Sequence, residues 1–336
     1  MIWADGYTST YYLTLVDPSS WRDIGRMEIT GGTIERSEDD LLESADFDMT
    51  ELPANGETWV RAWLDADQEG IEHVPLFTGL TSAPSRDIDG RHETYKIECY
   101  SVLKPVDDIL TERGYYIPVE VSAPAAAARL LRSGIAPVEV EAVADPPRLE
   151  DAIIAENGES NLTLAIKVLK AIGWRIRLDG YGVIHVEPNA PTVTAMFDVN
   201  ENDVIEMAVS EEYDWYSCPN VLRVIADDLT AVVRDDSPNS PLSTVSRGRE
   251  IWQEEDSVNL GANESIAAYA NRRLKELQSP ARSVSYNRRF HPDVRVGDLV
   301  RLNHPEIGID GTFRVTAQTL ELTHGCRTEE EAVQYE

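Results

Sequence analysis

Short runs of β-branched and aromatic residues, separated by turn residues, fill both ends of this chain and constrain its fold strongly. Near the amino end they occur at 11–16, 58–64, 76–80 and 95–100, and near the carboxyl end at 221–226, 231–233, 284–290, 299–302, 313–316 and 319–323. Within 95–100, Tyr95, Ile97 and Cys99 share one face of a predicted strand. Gly31-Gly32 lies between two further short runs, which is typical of a two-residue hairpin. We therefore expect a small barrel or sandwich in the first hundred residues and a further β region near the carboxyl end.

The middle of the chain has the helical spacing of apolar residues instead. Pro105 and Pro124 each suit the first turn of a short helix. The clearest helix begins after Ser160 as its N-cap, and its apolar stripe is Leu162, Ala165, Ile166, Leu169 and Ile172. A further short helix is predicted over residues 149–155. Alternating apolar residues on both sides of Asp179-Gly180 predict a β-hairpin over residues 174–186.

The order of these elements is a β block, an α block with a β-hairpin and a second β block, which predicts an α+β chain. The predicted domains are residues 1–103, residues 104–199 and residues 200–336, and the last contains one long helix at 264–278. A length of 336 residues agrees with two to three domains. The amino-terminal residues lack a signal-peptide pattern, and no apolar run has the length of about twenty residues that a membrane helix needs.

The chain is strongly acidic, with 60 Asp and Glu against 30 Lys and Arg and a formal net charge of −30. This balance argues against wrapping nucleic acid, whose phosphates require a basic surface. Two interpretations stay open: acidity that keeps the protein soluble, or an acidic wall that repels phosphates in a conduit. Residues 35–51 contain eight acidic residues but lack the spacing of an EF-hand, so we interpret them as a solvated face.

The charge balance reverses over residues 265–301, where eight basic residues face only three acidic ones. We name as candidate subunit-interface residues Arg272, Arg273, Lys275, Arg288, Arg289, Arg295 and Arg301. They do not form one run interleaved with aromatic residues, which disfavours a nucleic-acid platform. The open alternatives are ion pairs within the chain and an interface with another protein, including another copy of this chain.

Motifs for catalysis and cofactors are missing from the sequence. It contains no HExxH, GxSxG, GxxxxGK[ST] or GxGxxG motif, so we expect no enzyme activity, no catalytic residue and no cofactor. His291-Pro292-Asp293 and His304-Pro305-Glu306 combine metal-ligand types, but a proline after histidine is more simply a turn device, and no metal site is predicted. The three separated cysteines are predicted to be buried or semi-buried thiols made in a reducing cytosol.

Two other function classes stay open at this point. Sixty acidic residues offer many carboxylate pairs for a cell-wall hydrolase, although such abundance makes any one pair uninformative. Seven tryptophans and thirteen tyrosines on β scaffolds are compatible with a carbohydrate-binding module.

Several local motifs occur along the chain in a fixed order. They are Phe77-Thr78-Gly79-Leu80 followed by residues 95–103, the helix after Ser160 with the hairpin at 174–186, and the helix at 267–277 followed by Val296-Gly297-Asp298-Leu299-Val300 and Phe313-Arg314-Val315. This ordered set covers most of the chain. It resembles the baseplate-hub proteins of phage tails and related contractile injection systems, including late-control-protein-D-like hubs and the amino-terminal part of siphophage tail-associated proteins.

The resemblance implies two β-barrel-like tube domains joined by a helical insertion with a β-hairpin. It also implies a trimer that closes a pseudo-sixfold ring, continues the tail tube and lets DNA pass. We therefore expect a structural protein of the virion, the hub at the tail tip, assembled in the host cytoplasm. The implied partners are two further copies of the chain, the tail-tube or distal tail protein, a tip spike or fibre protein and the tape-measure protein. No specific nucleic-acid binding is implied.

Overall fold

A computed structural model of the chain describes residue 3 and residues 5–38, 41–52, 56–89, 92–190, 192–198, 205–226, 229–256, 265–278 and 282–335. Some positions of the sequence-based predictions lie outside these residues. They are Asp39 and Asp40 of the acidic segment, residues 199 and 200 at a predicted domain boundary, and Glu264 at a predicted helix start.

Seven strands follow one another in the first hundred residues. They are β1 (Thr8–Asp17), β2 (Arg22–Glu28), β3 (Gly31–Ser37), β4 (Glu43–Met49), β5 (Trp59–Asp67), β6 (Ile71–Asp89) and β7 (His92–Ser101). The strands predicted at 11–16, 58–64, 76–80 and 95–100 overlap β1, β5, β6 and β7, so these four predictions are confirmed.

The middle of the chain contains three helices and five short strands. They are α1 (Lys104–Asp107), β8 (Tyr116–Ile117), α2 (Ala123–Leu131), β9 (Val138–Val140), β10 (Ile153–Ile154), α3 (Asn161–Ala171), β11 (Trp174–Leu178) and β12 (Ile184–Pro188). The Ser160 hydroxyl accepts a hydrogen bond from the Thr163 amide at 3.0 Å, as an N-cap should. Strands β11 and β12 pair antiparallel, which confirms the predicted hairpin.

The rest of the chain is again rich in strands. The elements are β13 (Val193–Asp198), β14 (Ile205–Tyr213), β15 (Val221–Ala226), β16 (Leu229–Arg234), α4 (Thr244–Arg247), β17 (Trp252–Glu255), α5 (Ile266–Leu277), β18 (Arg282–Arg288), β19 (Leu299–His304), a 3-10 turn (Pro305–Ile307), β20 (Ile309–Glu321) and β21 (Thr328–Gln334). The protein is thus mostly β, with few helices. Over the described residues, every helix is too short or too polar to cross a membrane.

The chain divides into two compact units. The first comprises Met1–Val209 and Ser285–Glu336, and the second comprises Ser210–Val284. The main sheet has the strand order β14-β18-β21-β20-β3-β4-β7-β6-β5-β1-β2, and β19 pairs with β20 and with β13. Because β3 pairs antiparallel with β20, strands from both ends of the chain lie in a single sheet.

The second unit contains a small sheet in which β15 pairs antiparallel with β16 and parallel with β17. Helix α5 covers one face of this sheet, where Leu222 and Val224 pack with Ala270 and Leu274. Ser265 caps the helix by accepting a hydrogen bond from the Ala268 amide. The apolar side chains of this helix therefore face its sheet, while its basic side chains lie on the remaining surface.

The turn of the β11–β12 hairpin contacts the main sheet closely. A Cβ atom on Gly180 would lie 1.9 Å from the Pro75 carbonyl oxygen, so only glycine fits there. The Gly180 carbonyl accepts a hydrogen bond from the Thr78 hydroxyl at 2.8 Å, and Thr78 in turn accepts one from Arg61. Asp179-Gly180 thus both turns the chain and attaches the insertion to β6.

The hairpin predicted at Gly31-Gly32 is wrong. Strand β2 pairs with β1, whereas β3 pairs with β4 and β20. The glycines instead allow β3 to approach β4, since a Cβ atom on Gly32 would lie 2.4 Å from the Asp46 carbonyl oxygen.

The helix predicted over residues 149–155 is also wrong. Ile153 and Ile154 form the short strand β10, which pairs antiparallel with Ile117 and Tyr116. Leu149 lies buried in the core of the insertion, with α2 and α3. The two adjacent β-branched isoleucines favour this extended pairing over a helix.

The acidic segment at 35–51 is a solvated face only in part. Strand β4 alternates, with Glu43, Ala45, Phe47 and Met49 buried and the side chains between them more exposed. The prediction of a solvated face is therefore wrong for Glu43, which lies in the interior of the first unit.

Candidate functional site

The candidate interface residues of α5 are partly paired within the second unit. Arg272 lies 2.8 Å from Glu276 and packs over the ring of Tyr269. Arg273 is paired more fully, with Glu255 at 2.8 Å and Glu276 at 3.1 Å. Lys275 is exposed on the same helix. Ion pairs at this degree of exposure contribute little to folding stability and remain accessible to another protein.

Arg288 lies in the interior of the first unit, together with Glu330. Both side chains have 0% exposure, and Glu330 accepts hydrogen bonds from Arg288 Nε at 2.8 Å, from the Tyr286 hydroxyl at 2.6 Å and from Gln318 at 2.5 Å. Burial alone raises the pKa of a carboxyl group, but these donors outweigh it and hold the pKa of Glu330 below its usual value. Arg288 thus acts here as an internal counter-charge.

Arg295 contributes to a second buried centre, around Glu43. Glu43 lies 3.5 Å from Arg36 and 3.8 Å from Arg295. Its Oε1 atom has no hydrogen-bond partner among the described residues. Burial therefore dominates, and it raises the pKa of Glu43 despite the two neighbouring guanidinium groups. A cavity of about 40 Å³ lies beside these three residues and is also lined by Arg177.

The two buried centres are linked by one side chain. Arg36 donates a hydrogen bond to Gln318 Oε1 at 3.0 Å, and Gln318 Nε2 bonds Glu330. The linked residues come from β3, β4, β18, β20 and β21, so the network connects strands from both ends of the chain. Such networks favour one strand arrangement because misplacing a strand leaves a buried charge unpaired.

The remaining candidates lie nearer the surface. Arg301 on β19 is exposed and pairs with Asp310 at 3.2 Å. Arg289 is half-buried and lines a pocket described below. The structure therefore pairs Arg272, Arg273, Arg288, Arg295 and Arg301 with acidic groups of the same chain, as the ion-pair interpretation predicts. The interface interpretation continues as a proposal for the exposed residues.

A basic pocket of about 370 Å³ opens on the first unit. We define it by its lining residues, which are Gly6, Tyr7, Glu206, Arg288, Arg289, His324, Gly325 and Arg327. Arg327 holds Glu206 with two hydrogen bonds, from Nε at 3.1 Å and from Nη2 at 3.2 Å. Among the described residues, this carboxylate is the one acidic group in the lining, which otherwise carries three arginines and one histidine.

The turn that carries His324 and Arg327 is attached to the amino-terminal strand region. The Tyr7 hydroxyl donates to the Gly325 carbonyl at 2.9 Å, and the Tyr11 hydroxyl donates to the Thr323 carbonyl at 2.6 Å. The Gly325 amide donates to the Ser9 hydroxyl at 3.0 Å. These three contacts hold the turn between β20 and β21 in one conformation.

Sequence reasoning found Arg288 and Arg289 but missed the other residues of the basic pocket. Tyr7, Glu206 and Arg327 are more than one hundred positions apart along the chain, and none belongs to a recognisable motif. The strand order β14-β18-β21 brings Glu206 near Arg327, and the hydrogen bond from the Tyr7 hydroxyl to the Gly325 carbonyl attaches Tyr7 to the same region. A usable local signal was Gly325, because a glycine between two strand patterns indicates a turn.

The two His-Pro-acid motifs have different environments. His291 is packed edge-on against Phe197, and burial lowers its pKa from the usual value. His304 is buried at the end of β19, and neither of its ring nitrogens has a hydrogen-bond partner among the described residues. Over those residues, no three His, Cys, Asp or Glu side chains are grouped as metal ligands.

The three cysteines are free and buried, as predicted. Burial raises the pKa of the Cys326 thiol to about 12. A thiol with such a raised pKa is a poor nucleophile at neutral pH, since the thiolate is the reactive form.

Comparisons with known proteins give matches at the level of structure. A scan against protein-family models finds no match, and a search of curated proteins finds none either. The tail protein from Neisseria meningitidis MC58 matches with a TM-score of 0.68 and 16% identity over 98% of this chain and 97% of its own. The prophage MuSo2 43 kDa tail protein from Shewanella oneidensis matches with a TM-score of 0.65 and 15% identity, over 96% of this chain and 97% of its own.

A chain of the Francisella PdpA–VgrG complex is a further match. Its TM-score is 0.57 at 9% identity, over 98% of this chain and 58% of that one. Identities this low establish a shared fold and leave the function open. The chain therefore has the fold of these tail and VgrG-complex proteins across nearly its whole length.

Proposed function

We propose that this chain is a structural protein of a phage tail and forms the hub at the tail tip. The observation that carries the proposal is the fold match with two tail proteins over nearly the full length of both chains. A chain of the Francisella PdpA–VgrG complex shares this fold as well. On this proposal the protein is located in the virion, is assembled in the host cytoplasm, and has no enzyme activity.

The hub is proposed to be a homotrimer that closes a pseudo-sixfold ring. Residues 1–103 and 200–336 would each supply a barrel-like tube domain, and residues 104–199 the helical insertion. Six tube domains from three chains would continue the sixfold tail tube. The neighbours would be the tail-tube or distal tail protein on one side, a spike or fibre protein on the other, and the tape-measure protein within.

Charge supports a role for the exposed basic residues in this ring. Arg272, Lys275 and Arg301 are exposed on a chain whose net charge is −30. A neighbouring copy presents mostly acidic surface to them, so the contact is electrostatically favourable. The same acidic surplus along a lumen would repel the phosphates of passing DNA.

Electron microscopy of the purified protein, combined with light scattering after size-exclusion chromatography, tests the proposal. We expect a particle of three copies with a central hole, or a ring that forms when the tail-tube partner is added. A monomer at every concentration and salt level, with no ring in the presence of that partner, would refute the hub proposal.

A second candidate function is carbohydrate binding by the second unit. The observation that favours it is a group of exposed aromatic side chains, with Tyr213 at 41%, Trp215 at 49% and Tyr216 at 76% exposure. Arg247 donates hydrogen bonds to the Trp215 and Cys218 carbonyls and Arg249 donates one to the Tyr216 carbonyl, which anchors the backbone of this segment. A glycan array tests this candidate, and binding that is lost in Trp215→Ala but kept in the buried-core variant Leu222→Val supports it.

A further inference from the structure

The sequence contains two Asn-Gly pairs, and one of them lies at the surface of the helical insertion. Asn157 and Gly158 form the turn between β10 and α3, and both residues are exposed. Asn55, which belongs to the other pair, lies outside the described residues. An asparagine before glycine is chemically labile because its side-chain carbonyl carbon lies close to the next backbone nitrogen, and glycine has no side chain to hinder the approach.

The two groups that would react in this turn are not held by other contacts. Among the described residues, neither the side-chain amide of Asn157 nor the backbone N–H of Gly158 forms a hydrogen bond. The space around Gly158 is open, since a Cβ atom built there would meet no atom within 4 Å. Attack of the Gly158 nitrogen on the Asn157 side chain therefore breaks no existing hydrogen bond and causes no steric clash.

The turn is anchored at its ends and open at its centre. The Glu159 amide donates a hydrogen bond to the Glu156 carbonyl at 3.3 Å, and the Glu156 amide donates one to the Glu159 carboxylate at 2.7 Å. The Glu159 carbonyl also accepts a hydrogen bond from the Thr111 amide at 2.9 Å. Gly158 has a φ of 81°, in the left-handed region that favours glycine. These contacts keep the Asn-Gly pair at the tip of the turn, where water reaches it.

We propose that Asn157 is a site of spontaneous deamidation, with water as the co-reactant. The backbone nitrogen of Gly158 bonds to Cγ of Asn157 and closes a cyclic succinimide. The bond from Cγ to Nδ2 breaks, and the side-chain nitrogen leaves as ammonia with the proton that the Gly158 nitrogen gives up. Water then opens the ring at either carbonyl and yields aspartate or isoaspartate. Both products add a negative charge to the turn before α3, and this chemistry does not depend on the tail role.

Asn220 is the contrasting asparagine of the same chain. Its amide group donates hydrogen bonds to the Leu242 and Arg249 carbonyls, and its oxygen accepts one from the Ile251 amide. The side chain is fully buried, and the next residue is the β-branched Val221, which hinders attack by its own backbone nitrogen. We therefore expect Asn220 to remain unchanged under conditions in which Asn157 reacts.

Peptide mapping by mass spectrometry, after incubation of the whole protein at mildly alkaline pH, tests the proposal. The peptide that contains Asn157 should gain about 1 Da, because ammonia is lost and water is added, while the peptide that contains Asn220 should keep its mass. The gain should be slower at slightly acidic pH, since the attacking nitrogen must lose its proton. If the Asn157 peptide keeps its mass in the folded protein while a synthetic peptide of residues 153–162 deamidates, the turn protects this residue and the proposal is wrong.

Asn157→Gln is the matched variant, because the longer side chain closes the corresponding ring far less readily. Isoaspartate in the aged proteins is measured by methyl transfer from an isoaspartyl methyltransferase. The aged wild type should take up this label, and aged Asn157→Gln should lose most of it. Thermal unfolding verifies that the variant folds. Equal labelling of the two proteins would assign the reaction to other asparagines, Asn55 among them, and would overturn the proposal.

Discussion

Glu330 and Glu43 are two buried carboxylates of one network with opposite electrostatic outcomes. Glu330 receives close hydrogen bonds from Tyr286, Arg288 and Gln318, and its pKa is lowered. Glu43 has two guanidinium groups at 3.5 and 3.8 Å but no hydrogen bond to Oε1, and its pKa is raised. The contrast indicates that guanidinium groups at 3.5 and 3.8 Å do not offset the burial of a carboxylate, whereas a guanidinium at hydrogen-bond distance together with two further donors does.

Glu330→Gln is the substitution with the largest expected effect on the free energy of unfolding. The substitution leaves the guanidinium of Arg288 buried without a counter-charge, so the free energy of unfolding should fall by about 3–5 kcal/mol. Urea unfolding followed by tryptophan fluorescence measures it. Glu329→Gln, on the exposed side of the same strand, is the control and should change stability little. A loss below about 1 kcal/mol for Glu330→Gln would contradict the account of this centre.

The two carboxylates should also respond to pH with opposite signs. The lowered pKa of Glu330 means that its stabilisation is present above the unfolded value of 4.5 and is lost as pH falls through the folded pKa. The raised pKa of Glu43 means that its favourable contribution is present below 4.5 and is lost as pH rises from 4.5 to the folded pKa.

Unfolding curves from pH 3 to 8 for the wild type and the two Gln variants measure these dependences. The stability difference between wild type and Glu330→Gln should shrink as the pH falls. The stability of wild type relative to Glu43→Gln should decrease as the pH rises. If the stability of all three proteins depends on pH in the same way, the two carboxylates do not differ in the sign of their pH dependence, and the prediction is wrong.

A smaller effect is expected from Glu43→Gln at neutral pH. No close hydrogen bond of the carboxylate is lost, and Arg36 keeps its bonds to Gln318 and to the Leu76 carbonyl. We expect a loss of roughly 1 kcal/mol, clearly below that of Glu330→Gln. The same urea titration measures it, and equal losses for the two variants would show that proximity of charge matters more than hydrogen bonding.

The sequence was sufficient for elements whose local signals agree with their packing. Helix α3 has a capping serine and one apolar stripe, and the β11–β12 hairpin has Asp179-Gly180 between alternating residues. These signals act over short distances along the chain, so tertiary contacts do not override them.

The predictions that are wrong, and the site residues that were missed, have long-range causes. Gly32 is required by the backbone of β4, and residues 153–154 pair with a strand more than thirty positions away. The basic pocket combines residues from both ends of the chain, and Glu43 is buried within an acidic run that is typical of a surface. Such features depend on which strands become neighbours, and no local pattern contains that information.

The smallest expected effect on stability comes from the exposed ion pairs of α5, which contrast with the two buried centres. Glu276→Gln removes an exposed partner of Arg272 and Arg273, yet Arg273 keeps Glu255 and Arg272 keeps the ring of Tyr269. The thermal midpoint should therefore shift by no more than about 1 °C. The substitution also adds to the local positive surplus, so self-association measured by light scattering at low salt should increase if these residues face acidic surface of another copy. If neither stability nor self-association changes, these residues of α5 have no role in subunit contact. A large loss of stability would show that the exposed ion pairs stabilise the fold as much as the buried ones do.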